Sequence, residues 1–113
     1  MGNVIQVKSY EFSKKIVLLC YALQREKREY ILTKQLIRSG TSIGANIEEA
    51  IGGFSKSDFR YKMSISYKEA RETKYWLRLL KDTKLASSEQ VDELLENIEE
   101  IIKILYKIVE NSK

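Results

Sequence analysis

Apolar residues recur along this chain in alternating steps of three and four, the spacing that gathers them on one side of an α-helix. The cleanest run is Phe59, Met63, Ser66, Ala70, Thr73, Leu77 and Leu80. It holds the alternation over three heptads, as a bundle seam does, and predicts a helix from about Ser57 to Asp82. A second run, Val91, Leu94, Leu95, Ile98, Ile101, Ile102, Leu105, Ile108 and Val109, predicts another helix behind Ser87-Ser88-Glu89-Gln90, which has the form of a capping box. Ahead of both, Phe12, Ile16, Leu19 and Leu23 mark one side of a helix from about Lys8 to Arg28. Leu36, Gly40, Ile43, Ile47 and Ala50 do the same for a helix from about Leu32 to Ile51. The fold class read from this pattern is all-α: an antiparallel up-and-down four-helix bundle. The short connections at Gly52–Ser55 and Thr83–Ser87 make neighbouring helices run in opposite directions.

The punctuation between these runs is uneven. Gly52-Gly53 supplies residues that tolerate left-handed backbone angles and ends the second helix. Ser55-Lys56-Ser57-Asp58 is a capping box in which either serine can cap the third. Gln24 to Lys34 contains neither glycine nor proline, so the bend between the first two helices is placed near Glu29 and Tyr30 on pattern alone. Two features point beyond a single bundle. Val17, Leu18, Cys20 and Tyr21 give the first helix more apolar surface than one stripe needs, which predicts a second buried face. The second helix carries Arg38-Ser39-Gly40-Thr41-Ser42-Ile43-Gly44-Ala45-Asn46-Ile47-Glu48-Glu49-Ala50, a run of small and polar residues. A glycine in a helix interior costs about 1 kcal/mol relative to alanine, so the run reads as an interface. Gly44 is expected at a close helix contact, within the chain or between subunits.

Composition narrows the class. With 113 residues, 43% of them apolar, and no proline, the chain makes one domain, residues 1–113, around a single core. No segment approaches the apolar length of a membrane span and the N-terminus has no signal-peptide organisation, so a cytoplasmic protein without membrane contact is expected. Histidine is absent, which removes the commonest general base and metal ligand. Cys20 is the single cysteine, and within Ile16-Val17-Leu18-Leu19-Cys20-Tyr21 it reads as a buried small hydrophobe. No cofactor, metal or small-molecule substrate is expected. Pairing Glu49 with Glu72 as acid and base would need a histidine, metal site or phosphate loop that the sequence lacks.

Charge is distributed unevenly beneath a net +4. Residues 1–30 carry six Lys/Arg against three Asp/Glu and residues 55–86 nine against four, whereas residues 87–113 carry three against seven. On the third helix Arg60, Ser64, Tyr67, Arg71, Lys74, Arg78 and Lys81 again follow steps of four and three. This stripe of five cations and a tyrosine could track a phosphate backbone, with Tyr67 available for stacking. The competing reading is a solvated side partly paired with Glu72, Asp82 or the acidic fourth helix. Ser42, Asn46 and Glu49 share one side of the second helix and, if buried, need hydrogen-bond partners, for which Thr73 and Glu72 or a neighbouring subunit are the candidates. Trp76, Tyr75 and Tyr106 read as core or interface anchors.

The run Arg38–Ala50, with Ser57-Asp58-Phe59 and Glu72-Thr73-Lys74-Tyr75-Trp76-Leu77 behind it, resembles the four-helix-bundle family of 23S ribosomal RNA intervening-sequence proteins, itself similar to the accessory variability determinant of diversity-generating retroelements. The likeness covers about residues 8–110, and Ser-Ile-x-x-Asn-Ile-x-Glu at Ser42–Glu49 is its most specific part. It implies a bacterial, non-enzymatic protein that assembles into a homopentameric ring with a basic surface. The partners it implies are RNA or a reverse-transcriptase-like protein. It also marks Gly40, Ser42, Gly44, Asn46, Glu49, Glu72 and Trp76 as structural or interface positions. Gly40 stands where the family more often has alanine. The function expected is a scaffold that binds nucleic acid, structured RNA first, or a nucleic-acid-processing partner; the rival is a purely structural module that contacts protein only.

Overall fold

A computed structural model of the chain describes residues 2–113, with side chains from Val4 onward. Four helices follow one another: α1 (Gly2–Lys27), α2 (Ile31–Ile51), α3 (Lys56–Asp82) and α4 (Ser88–Asn111). Each packs on the next and α4 closes against α1. The result is a slender bundle of 44 × 19 × 19 Å.

The predicted seams form the core. On α3, Met63, Ser66, Ala70, Thr73, Leu77 and Leu80 are buried and Phe59 is partly so. On α4, Val91, Leu94, Ile98, Ile101 and Leu105 face inward, with Leu95, Ile102, Ile108 and Val109 at the edges. α1 begins six residues before the predicted Lys8. Ile5 and Ser9 are both buried and carry the Phe12–Leu23 stripe backward in the same steps of four and three; a serine in a core position hides the continuation. Of the extra apolar residues on α1, Cys20 enters the core, whereas Leu18 and Tyr21 stay 69% and 56% exposed. The Cys20 thiol donates to the Thr33 carbonyl across 3.6 Å. Burial pushes its pKa up to about 12, and the nearby Glu29 carboxylate adds to the rise.

The helix ends show where sequence cues held and where they did not. Ser87 caps α4 through the full capping box, its hydroxyl accepting from the Gln90 N–H while the Gln90 side chain accepts from the Ser87 N–H. At α3 Ser55 is the cap, accepting from the Asp58 N–H at 3.0 Å. Gly52-Gly53 ends α2 without any left-handed residue: Gly52 sits at φ −84°, ψ 3°, and no described glycine has a positive φ. Space is tight at Gly53, where a Cβ would lie 3.3 Å from both the Ala50 carbonyl oxygen and the Asp58 Cβ.

The left-handed positions are instead Arg28 (φ 55°) and Lys84 (φ 61°). Behind Lys84 the Leu85 N–H returns to the Leu80 carbonyl at 3.1 Å, the Schellman closure in which glycine is the usual residue. Behind Arg28, the Glu29 carboxylate accepts from the N–H groups of Ile31, Leu32 and Thr33 at 3.1, 2.9 and 2.9 Å. One side chain therefore satisfies three of the orphan donors that open α2.

Candidate nucleic-acid interface

The basic stripe of α3 lies along the seam with acidic α4. Lys74 meets Glu99 at 2.7 Å and Lys81 meets Asp92 at 2.6 Å. Hydrogen bonding from Lys74 holds the Glu99 carboxyl below the ordinary carboxylate range against the opposing pull of burial. Arg60 donates through Nε to the Val109 carbonyl at 3.4 Å. Tyr67 is half-buried, 6.1 Å from the ring of Tyr106, so its ring packs within the bundle. Arg71 donates to the Tyr67 hydroxyl at 3.3 Å and lies 5.8 Å from its ring centroid. Arg78 is exposed. Neither Arg71 nor Arg78 pairs with a carboxylate among the described residues.

α1 contributes to the same pattern from the other side of α4, where Lys8 pairs with Glu100 at 3.2 Å and Lys15 with Glu93 at 3.4 Å. Acidic α4 is thus flanked by cations on both edges. Exposed pairs of this kind contribute about 0–1 kcal/mol each. They cost little to break, yet they cancel much of the local field that a phosphate backbone would feel.

The small-residue segment of α2 turns one edge to α1 and the other to α3. Toward α1 the tight position is Gly40: a Cβ there would stand 2.9 Å from Ile16 Cγ2 and 3.2 Å from Ile16 Cγ1. At Gly44, where the sequence placed the close contact, the nearest atom to a Cβ would be Ser9 Oγ at an ordinary 3.4 Å. Gly44 lines a groove of about 260 Å³ between α1 and α2, with Ser9, Tyr10 and Ser13 opposite. Gln6 donates to Glu48 across its rim at 2.8 Å.

Toward α3 the hydrogen bonds differ from those anticipated. Ser42 and Asn46 bond within α2 instead, to the Arg38 carbonyl at 2.6 Å and the Ser42 carbonyl at 2.8 Å, while Glu49 pairs with Lys62 of α3 at 2.7 Å. Thr73 bonds Ser39 at 2.9 Å and Ser66 donates to the Ile43 carbonyl at 2.8 Å, two buried links from α3 to α2. Glu72 accepts from Arg38 and, at 2.9 Å, from Trp76 Nε1; Arg38 also reaches Glu69 at 3.2 Å. Burial opposes ionisation of Glu72, but the Trp76 and Arg38 donors outweigh it and hold its carboxyl below the usual range. Glu49 and Glu72 therefore sit in separate ion pairs. Sequence reasoning missed Ser39, Glu69 and the Arg38 side chain; a serine one residue before Gly40 was the available signal. Trp76 is half-buried with Tyr75 edge-on at 5.1 Å.

A family model described as 23S rRNA-intervening sequence protein matches residues 3–107. A crystal structure of a protein of unknown function from the S23 ribosomal protein family of Bacteroides thetaiotaomicron VPI-5482 superimposes with a TM-score of 0.93 at 45% identity. The match covers 96% of this chain and 97% of that one. No curated protein matches the chain.

Proposed function

The chain belongs to the 23S rRNA-intervening sequence protein family, and from that premise we propose that it works as a non-enzymatic, homopentameric bundle scaffold that binds structured RNA through its basic surface. The observation that carries the RNA reading is the surplus of cations left after the ion pairs of the bundle are formed, including Arg71 and Arg78 on α3. Lys74 and Lys81 add to them, because the surface pairs that hold them are weak enough for phosphate oxygens to displace.

The outer side of α1 supports the oligomeric part. Val4, Val7, Leu18 and Tyr21 are more than half exposed and share one stripe of the helix. Closed rotational symmetry is the common means of burying such a stripe. Light scattering at micromolar concentration is expected to give the mass of a pentamer, and Leu18→Glu with Tyr21→Glu to give monomers of unchanged helicity. A monomeric parent overturns the assembly.

RNA binding is tested by gel shift of a structured RNA across salt. The parent retards it at low salt, and Gln at Arg71, Lys74, Arg78 and Lys81 weakens the retardation. No retardation of structured RNA or of single- or double-stranded DNA overturns the reading in favour of a protein-only module. The fully exposed Phe54 between α2 and α3 is the observation that favours that alternative.

A further inference from the structure

α3 and α4 meet as an antiparallel ladder whose rungs fall in steps of seven on both helices: Lys81 with Asp92, Lys74 with Glu99, Tyr67 with Tyr106. Two rungs are ion pairs and the third is aromatic. Outside them each helix carries a further row of exposed residues, Arg71 and Arg78 on α3 and Glu89, Glu96, Lys103 and Glu110 on α4. The register of the ladder sets Arg78 level with Glu96, a cation against an acid. One rung further along it sets Arg71 level with Lys103, a cation against a cation. Neither of these two pairs with a carboxylate among the described residues. Like charges at one level repel, so stability alone would continue the acidic row of α4 through position 103.

What stands between them is Glu99. Its half-buried carboxylate takes a hydrogen bond from Lys74 at 2.7 Å, and the fields of Lys103 and Arg71 add to the effect of that bond in keeping it ionised. Three cations thus share one carboxylate. Asp92, Glu93 and Glu100, the other α4 acids in ion pairs between helices, each pair with one lysine, and Glu110 is held by Lys113. Arg71, moreover, is positioned without any acid. One terminal nitrogen donates to the Tyr67 hydroxyl at 3.3 Å and the guanidinium lies 5.8 Å from the Tyr67 ring, which itself packs on Tyr106. A guanidinium fixed in this way keeps further N–H groups with which to grip two oxygens of one anion.

We propose that Arg71, Lys74 and Lys103 form a clamp for one phosphate of the RNA backbone, in which Glu99 is the resident anion of the free protein and from which RNA displaces it. The proposal rests on the RNA-binding reading above; it adds a residue of α4 to the α3 stripe and gives that stripe an internal competitor. A phosphodiester carries the same single charge as the carboxylate it replaces, so the exchange preserves the charge balance of the clamp. Surface pairs such as Lys74–Glu99 are weak enough to permit it. Contacts of this kind position the RNA backbone and read no base.

Anisotropy of a fluorescent RNA hairpin at about 50 mM salt, where phosphate contacts are strong, tests the clamp. Glu99→Gln removes the competitor and should raise affinity about three- to tenfold. Glu49→Gln makes the same change in net charge and frees Lys62 from a pair of the same 2.7 Å length, yet should raise affinity less than about twofold. With Gln at both Arg71 and Lys103, binding should weaken at least about tenfold, and adding Glu99→Gln should then recover less than about twofold. In the parent, the carboxyl carbon resonance of Glu99 should move toward that of a free glutamate as the hairpin is added. Equal gains from Glu99→Gln and Glu49→Gln, a gain that survives the loss of Arg71 and Lys103, or a Glu99 resonance unmoved at saturation overturns the proposal while RNA binding stands. A hairpin bound by neither the parent nor Glu99→Gln overturns the RNA reading and the proposal with it.

Discussion

Gly40 and Gly44 lie one turn apart on the same helix, yet an alanine should do opposite things at the two. In either place the substitution removes the conformational cost of an interior helical glycine, a gain of about 1 kcal/mol. At Gly44 the new methyl meets Ser9 Oγ at 3.4 Å, an ordinary contact, so the gain survives and the protein is stabilised by about 0.5–1 kcal/mol. At Gly40 the methyl would stand 2.9 Å from Ile16 Cγ2 and 3.2 Å from Cγ1. Both atoms are branches close to the Ile16 backbone, and Ile16 is fully buried, so α1 must move away from α2. Overpacking of this kind costs about 1–3 kcal/mol, which exceeds the gain and leaves Gly40→Ala less stable by about 1 kcal/mol. The two variants should therefore differ by about 2 kcal/mol, or about 8 °C in Tm for a domain of this size. Thermal and urea unfolding at one fixed protomer concentration measure it. A double-mutant cycle isolates the clash. Ile16→Ala should cost less in the Gly40→Ala background than in the parent, by about the size of the overpacking penalty. Equal stabilisation by both alanines, or no coupling to Ile16, refutes the reasoning.

Glu29→Ala removes the acceptor for three N–H groups of α2 and should destabilise by about 1–2 kcal/mol, the upper range for a lost cap, with faster amide exchange at Ile31, Leu32 and Thr33; unchanged exchange there would count against the cap. Glu72 and Glu99 have carboxyls held below their usual value of 4.5 in the folded protein. Their contribution to stability is therefore present above pH 4.5 and is lost as pH falls below it through the lower folded values. Gln at both positions should flatten the decline in Tm below pH 4.5, and a parallel decline in parent and variant would refute the linkage.

The helices were legible because their seams repeat without interruption: Met63 to Leu80 and Val91 to Leu105 announce their own burial. What escaped was polar or local. Ser9 stands in the core of α1 and Ser39 meets Thr73 inside the α2–α3 contact; unlike Ser66, which apolar seam positions flank on both sides, Ser9 lies at the start of its run and Ser39 beside the Leu36–Gly40 stripe. The turn at Arg28 and Glu29 has no glycine or proline because a strained arginine and a carboxylate cap do the work together, a combination no single residue signals. For the basic stripe the spacing was plain and the acidic fourth helix was one of the partners its competing reading offered, but which carboxylates would meet which lysines was not. Only the packing of α3 on α4 brings Lys74 to Glu99 and Lys81 to Asp92.

The thiol of Cys20 gives this bundle an internal clock. With a pKa of about 12, roughly one thiol in ten thousand is ionised at pH 8, and the sulfur has no exposed surface. Alkylating reagents react with thiolates that they can reach, so modification must wait until α1 lifts from α2. Labelling of the native protein then counts those openings one by one, and its dependence on denaturant distinguishes a local parting of the two helices from unfolding of the whole domain.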